Sequence, residues 1–341
     1  MIKLKNVVIQ DFDNNYAEIL TDFDRSNFQE EWQENTSWQL KLSVTKTRKN
    51  KFTFDLINFE SSVLFDNQEF VIKQMNHNFN GMRQTKEVTA VHIMYTMQYD
   101  FQYDVISGKK TIAQLLHHIF DKNTLGFTWT TVGTFPSVEQ ENFGNANLLD
   151  LVNEVLNDYF AVIIADKKHL VFYAKSEYGI KTENTIRYNY NTDEFTLDCD
   201  TTNLRTEIRG IMSGYFPPVI YRNQEAFERW GLRIAAPVED ERYSDNNSML
   251  IRLERELQYY PAISCSVVMK LPYQVDKGDY VIIVHTELDM KLDVQLVGYI
   301  KYPLVKSKPP ELTFSNAKKD MINIQRDILK VIKKLKKGAS K

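Results

Sequence analysis

The sequence predicts an α+β, β-rich protein. Two related β units flank an inserted α/β unit, and helical segments occupy the carboxy-terminal half. Three observations predict this. Asp66–Lys73 and Asp276–Ile283 share an acidic turn, an aromatic residue and then Val-Ile, and in each case a second strand returns after a polar turn, Val88–Tyr95 and Lys291–Ile300. Alternation of apolar and polar residues dominates up to about Tyr103. Helical spacing then takes over between about 107 and 180. The repeated stretch is short, and an acidic turn before any strand has this look, so duplication and coincidence both remain open.

Taken in order, Ile2–Ile9 alternates as a short strand and Asp13-Asn14-Asn15 is a turn. Trp32–Ser37 reads as irregular. Trp38, Leu40, Leu42 and Val44 alternate with Gln39, Lys41, Ser43 and Thr45, a strand with one wet face. Phe52 and Phe54 open another apolar stretch. Glu69–Met75 and Val88–Tyr99 follow, with Asn80-Gly81 between them as a tight hairpin turn. Strands this closely spaced suggest a barrel or sandwich.

After Gly108 the period changes. Thr111 caps a helix with Ile112, Leu115, Leu116 and Ile119 on one face. Phe127–Thr131 is strand-like. Asn147 caps a second helix carrying Leu148, Leu151, Val152, Val155 and Tyr159, and Phe160–Ala165 with His169–Tyr173 forms a hairpin. Strands return at Thr185–Tyr190, Phe195–Leu197 and Leu204–Met212, and Pro217-Pro218 interrupts them. Gln224–Trp230 and Ser248–Leu257 are helical, the second stopped by Pro261. Ile263–Met269, Tyr280–Val284 and Lys291–Tyr302 are strands again, before a terminal helix from about Ala317 to Lys337.

A chain of 341 residues exceeds one ordinary domain and has ample apolar content for a core without staples. Its net charge of −3 gives no general pull toward nucleic acid. No apolar stretch is long enough to span a bilayer. Met1–Gln10 reads as a strand and not a signal peptide, which implies synthesis in a cytoplasm and discounts the acceptors Asn35-Thr36-Ser37 and Asn246-Asn247-Ser248 for glycosylation. Cys199 and Cys265 lie far apart and are expected to be buried small hydrophobes.

Catalytic patterns are incomplete. Gly108-Lys109-Lys110-Thr111 resembles the end of a phosphate loop, but Tyr103 stands where the upstream glycine is needed. Gly210-Ile211-Met212-Ser213-Gly214 misplaces its serine for a nucleophile elbow. His117 and Asp121 share a helix face with too few ligands for a catalytic zinc. Glu239-Asp240-Glu241 offers paired carboxylates in what reads as a solvated loop. No cofactor, metal or catalytic residue is assigned.

The terminal helix carries more information. Met321, Ile324, Ile328, Val331 and Leu335 are spaced as the a and d positions of a heptad seam. Ile322, Leu329 and Ile332 widen the stripe, and Lys330, Lys333, Lys334, Lys336 and Lys337 suit a helix C-terminus. Such a helix needs a partner, either its own body or copies of itself, and isoleucine-rich seams favour trimers over dimers.

The order of several short stretches resembles the phage and prophage tail endopeptidase family, the tail-associated lysins. The stretches are Phe70-Val71-Ile72-Lys73 with Val88–Met94, then Phe143–Leu151, then Leu170–Tyr173 with Tyr178-Gly179, then Lys277–Val281 and Leu312–Asn316. The resemblance covers nearly the whole chain and implies the family's amino-terminal, baseplate-hub part: a trimer with two β-barrels per chain, six around a tail axis. It implies a first barrel domain over 1–106 plus about 185–222, an inserted α/β domain over 107–184, a helical segment over 223–261, a second barrel over 262–316 and a helix over 317–341. The implied partners are two further copies, a distal tail or tail-tube protein, a tape-measure protein, and a fibre or lysin, with DNA passing through a channel without specific binding. The implied location is the virion tail tip. The family's hydrolase activity belongs to a carboxy-terminal extension for which this sequence leaves no room, so the expected function is structural. A cell-wall hydrolase using Glu239 or Asp240 is the rival.

Overall fold

The computed structural model describes residues 5–212, 217–240, 243, 245–270, 273–286, 290–305 and 307–315. The first β unit contains β1 (Val8–Gln10), β2 (Ala17–Ile19), β3 (Gln29–Gln33), β4 (Ser37–Thr45), β5 (Ser62–Phe65), β6 (Gln68–Asn80) and β7 (Arg83–His92). Their order in the sheet is β3-β4-β7-β6-β5-β1-β2, antiparallel throughout. Alternation along β4 buries Trp38, Leu40, Leu42 and Val44 and leaves the residues between them half-exposed. Asn80-Gly81 makes the expected tight turn, with Gly81 at φ 58°.

Three segments differ from the sequence reading. The stretch read as irregular contains the end of β3, a strand whose only fully buried side chain is Trp32. Phe52 and Phe54 lie on a short helix, α1 (Lys51–Leu56), which buries Phe54 and exposes Phe52. Buried Asn50 fixes its entry: Nδ2 donates to the Asp22 and Thr45 carbonyls at 3.0 and 2.9 Å, and Oδ1 accepts from Thr47 N–H at 2.7 Å. β7 stops at His92, whose Nδ1 accepts from Met94 N–H and starts a 3-10 turn over Ile93–Tyr99.

The inserted unit contains β8 (Phe101–Lys110), α2 (Ile112–Phe120), β9 (Thr128–Val132), β10 (Val138–Asn147), α3 (Leu148–Tyr159), β11 (Ala161–Asp166) and β12 (His169–Ala174). β8 and β10 pair alone, and β11-β12-β9 form a second small sheet. Both helices start where their caps predict. Thr111 and Gln114 form a reciprocal capping box, and Asn147 Oδ1 accepts from Asp150 N–H. Their apolar faces meet the hydrophobic core that runs on into both β units.

The rest of the chain contains β13 (Lys181–Arg187), β14 (Thr192–Asp200), β15 (Glu207–Ile211), β16 (Val219–Arg222), α4 (Gln224–Trp230), β17 (Val238–Glu239), α5 (Asn246–Glu256), β18 (Ala262–Met269), β19 (Tyr280–His285), β20 (Met290–Lys301) and β21 (Glu311–Ser315). Residues 185–222, expected beside the first unit, pair elsewhere. β13 joins β19, β14 joins β18, and β15 with β16 and β17 makes a separate sheet under α5. That sheet has its own small core of Ile208, Met212, Val219, Met249, Leu253 and Leu257. Gly210 lets α5 approach, since a Cβ there would sit 2.6 Å from Met249 Sδ.

The second β unit repeats six strands of the first in the same order. The path β14-β18-β21-β20-β19-β13 has the same chain order as β3-β4-β7-β6-β5-β1. A bulge interrupts β6 against β7 between Ile72 and Gln74, and β20 against β21 between Leu296 and Gly298. Ile72 N–H donates to the Ser61 carbonyl at 2.9 Å and Ile72 accepts from Glu60 N–H at 3.0 Å; Leu296 N–H donates to Asp279 at 2.9 Å and Leu296 accepts from Gly278 N–H at 3.2 Å. Glu60 and Gly278 both have positive φ, 63° and 83°. The last pair differs: β1 meets β5 antiparallel, whereas β13 meets β19 parallel. The equivalence is also one strand out of step with the sequence match, which had put β6 beside β19. An acidic turn before Val-Ile marks the entry to many strands, so it fixes no register. No closed barrel forms among the described residues. β20 instead pairs with β3, and the two units merge into one 13-stranded sheet.

Candidate assembly interface

The junction between the units is built from polar and aromatic side chains. β20 meets β21 along one edge; the other edge is taken by β19 up to Gln295 and by β3 from Gly298 to Lys301. Beyond the strand ends, Glu34 N–H donates to the Val297 carbonyl at 2.8 Å. Trp32 and Tyr299 are opposed across the joint with ring centroids 5.5 Å apart.

Glu30 organises the polar side. Its Oε1 accepts from Tyr299 Oη at 2.7 Å and from Trp38 Nε1 at 3.1 Å. Lys277 lies over the Trp38 ring, its Nζ 3.1 Å from the centroid. Burial pushes the Lys277 pKa down to about 7, opposed by Glu30 and reinforced by Lys301. The facing indole favours the ammonium form as well. Lys301 is also held below its ordinary value, chiefly by burial, with Glu30 opposing. The other face of Trp38 stacks on His92 at 4.2 Å. Burial, and then the nearby Lys277 charge, lowers the His92 pKa to about 3. Burial, then the Glu30 carboxylate, raises the Tyr299 pKa. Gln295 closes the cluster, its Nε2 donating to the Tyr178 and Gly278 carbonyls at 3.0 and 2.8 Å.

Tyr178-Gly179 and Lys277-Gly278 pack back to back. A Cβ on Gly278 would meet the Tyr178 ring at 2.4 Å, and one on Gly179 would lie 1.8 Å from the Gly278 carbonyl oxygen. The adjoining cavity holds about 20 Å³, room for water only. The chemistry here is cohesive: a half-buried lysine, one carboxylate and stacked rings fasten two β units together.

Residues singled out from sequence fall elsewhere. Met321, Ile324, Ile328, Val331 and Leu335 lie outside the described residues. Thr111 serves as a helix cap and Gly108 lies within β8. His117 pairs with Asp121 at 2.9 Å on an exposed helix face. Among the described residues no cluster of three or more potential metal ligands occurs. Asp240 is buried and ion-paired with Arg252 at 3.2 Å, a correction to the solvated-loop reading; Glu239, its neighbour in β17, is exposed. Cys265 is buried as expected, but Cys199 on the edge strand β14 is exposed. Sequence reasoning passed over Glu30 and Trp32 because Gln29–Gln33 is almost wholly polar. The adjacent Glu-Glu-Trp beside a strand-length alternation was the available signal.

Residues 7–92 match the prophage endopeptidase tail N-terminal domain, 99–172 the prophage endopeptidase tail domain, and 180–325 the prophage endopeptidase tail. Prophage tail protein gp18 from Listeria monocytogenes EGD-e is 43% identical, with 96% of this chain and 99% of that chain covered and a TM-score of 0.77. The chain belongs to the prophage endopeptidase tail family. Family membership makes it a structural protein of the phage tail or baseplate type. The fold extends to distant chains: a tail protein from Neisseria meningitidis MC58 (8% identity, 93% and 97% covered, TM-score 0.67) and the 43 kDa tail protein of prophage MuSo2 from Shewanella oneidensis (10% identity, 91% and 97% covered, TM-score 0.64). No curated protein matches the chain. The family model's three segments fall on the first β unit, the inserted unit, and the remainder including the second β unit.

Proposed function

We propose that this prophage endopeptidase tail protein is the hub at the tail tip, three copies forming a ring that joins the tail tube to a fibre or lysin and leaves a passage for DNA. One observation carries the reading: each chain holds two β units of the same strand order joined edge to edge. Three chains then present six equivalent units, which suits a sixfold tail tube. The inserted unit from β8 to β12 and the segment carrying α4 and α5 decorate that ring. The tube-side neighbour would be a distal tail or tail-tube protein, with the tape-measure protein inside.

The test is mass by light scattering over a wide concentration range, alone and with the tube-side protein. A trimer, or a monomer that becomes trimeric with its partner, is expected. A dimer that stays dimeric with its partner overturns the hub. The word endopeptidase in the family's description favours a second reading, a wall hydrolase. Zymography on purified cell walls separates the two: the hub predicts no clearing, and clearing abolished by Glu239→Gln supports the hydrolase.

A further inference from the structure

The in-chain joint has a matching half-joint on each unit, and neither has a strand beside it among the described residues. Superposing the two strand paths rung by rung makes Ile72 equivalent to Leu296, Lys73 to the bulge residue Val297, and Gln74 to Gly298. Through β4 and β18 the same alignment makes Gln33 equivalent to Asp200, Trp32 to Cys199 and Glu31 to Asp198. Burial agrees with it: Leu40, Leu42 and Val44 fall on Cys265, Val267 and Met269, all buried. In the second unit the edge of β20 beyond its bulge receives β3. In the first unit the corresponding edge of β6, from Gln74 to Asn80, has no strand beside it among the described residues, because β5 pairs with β6 only from Gln68 to Val71. The strand equivalent to β3 is β14, and beyond Thr192, which bridges to Tyr188, its outer edge is likewise unpaired among the described residues.

We propose that β14 of one copy pairs antiparallel with the free β6 edge of the next, repeating between chains the β3–β20 joint found within each. The occupant is a second copy of this chain, since the in-chain joint specifies the strand, direction and register that fit. The expected rungs are Gln74 with Asp200, Met75 with Cys199, Asn76 with Asp198 and His77 with Leu197. Charge agrees. β14 carries Asp193, Glu194, Asp198 and Asp200 and no basic residue, while Gln74–Asn80 carries no acid and follows Lys73. The in-chain joint has the same bias, with Glu30 and Glu31 on β3 and Lys301 on β20. Unpaired strand edges of this kind take up further strands readily. The contact is head-to-tail, so it must close into a ring or grow without end. The strand pairing rests on the duplicated topology; only the closure at three copies rests on the hub reading.

The native Cys199 supplies the probe. In the proposed register a cysteine at position 75 lies directly opposite it, within the Cα separation that a disulfide spans. Met75→Cys, concentrated and oxidised with copper-phenanthroline in air, should give a non-reducing ladder ending at a covalent trimer. The ladder should vanish in Met75→Cys with Cys199→Ser. Met82→Cys, at the exposed hairpin tip, should give at least tenfold less. An unchanged urea midpoint verifies folding. Gln74→Cys with Asp200→Cys, in a Cys199→Ser background, tests the adjoining rung in case the first pair is poorly angled. No Cys199-dependent product at high concentration from position 75, together with none from the second pair, overturns the proposal. So does cross-linking no better than at position 82. A trimer by light scattering without either link leaves the hub and removes this interface. A Cys199-dependent ladder running past three copies keeps the interface and removes the closed trimer.

Discussion

Two side chains at the junction make stability depend on pH in opposite parts of the scale. His92 has an ordinary pKa of 6.5 and about 3 in the fold. Between those values the unfolded chain binds the extra proton, so stability falls as pH drops below 6.5. Lys277 has an ordinary value of 10.5 and about 7 in the fold. There the unfolded chain again binds more protons, so this residue makes stability rise from about pH 7 toward 10.5. Urea midpoints measured from pH 4 to 10 check both. His92→Gln should flatten the acid limb and Lys277→Met the alkaline limb, each relative to wild type. An unchanged slope in either variant removes that residue's role. Gly278 is a tight point nearby. Gly278→Ala meets the Tyr178 ring and a positive φ together and should cost about 2–3 kcal/mol in denaturant unfolding. Gly81→Ala, with φ 58° but open space around it, should cost about 1 kcal/mol.

At the scale of elements, the sequence was most informative where period and cap agreed. Thr111 and Asn147 begin α2 and α3 as their residue types require, and Thr111→Ala should lower stability by about 1 kcal/mol in thermal or urea unfolding. β4 was legible because its apolar residues alternate without a break. β3 was not, because its burial is carried by a single tryptophan and its partner β20 lies far along the chain. α1 was misread because two phenylalanines two residues apart fit a strand, and only packing shows that Phe54 turns inward while Phe52 does not. The candidate interface was hidden for the same reason: Glu30, Lys277 and Tyr299 meet only after the two units join.

At the scale of the whole molecule, the duplication was anticipated but its register was not, since a turn motif recurs before strands that are not equivalent. Strand order, bulge and paired carbonyl contacts fix it instead. The proposed packing of the terminal seam Met321, Ile324, Ile328, Val331 and Leu335 against other copies belongs to this scale. Five apolar side chains offer about 10 kcal/mol gross, while ordering roughly 15 residues costs at least as much, so the helix alone should not trimerise. Ile328→Asp should weaken a ring seen by light scattering; an unchanged trimer removes the helix from the assembly and leaves the β units. Assembled rings should bind DNA weakly at physiological salt, measured by fluorescence anisotropy, as a conduit must release what it passes.

The bulge at Val297 has a mechanical consequence. β20 is a lap splice: one continuous strand lies along β19 for part of its length and along β3 for the rest, with β21 clamped on the opposite side. A pull that separates the two units along the strand direction loads the rungs between β20 and β3 side by side, in shear, and they must fail together. A pull across the strands opens them one at a time. The joint is therefore stiff to sliding and soft to peeling. Two units joined by such a splice resist sliding along their strands and can still splay across them.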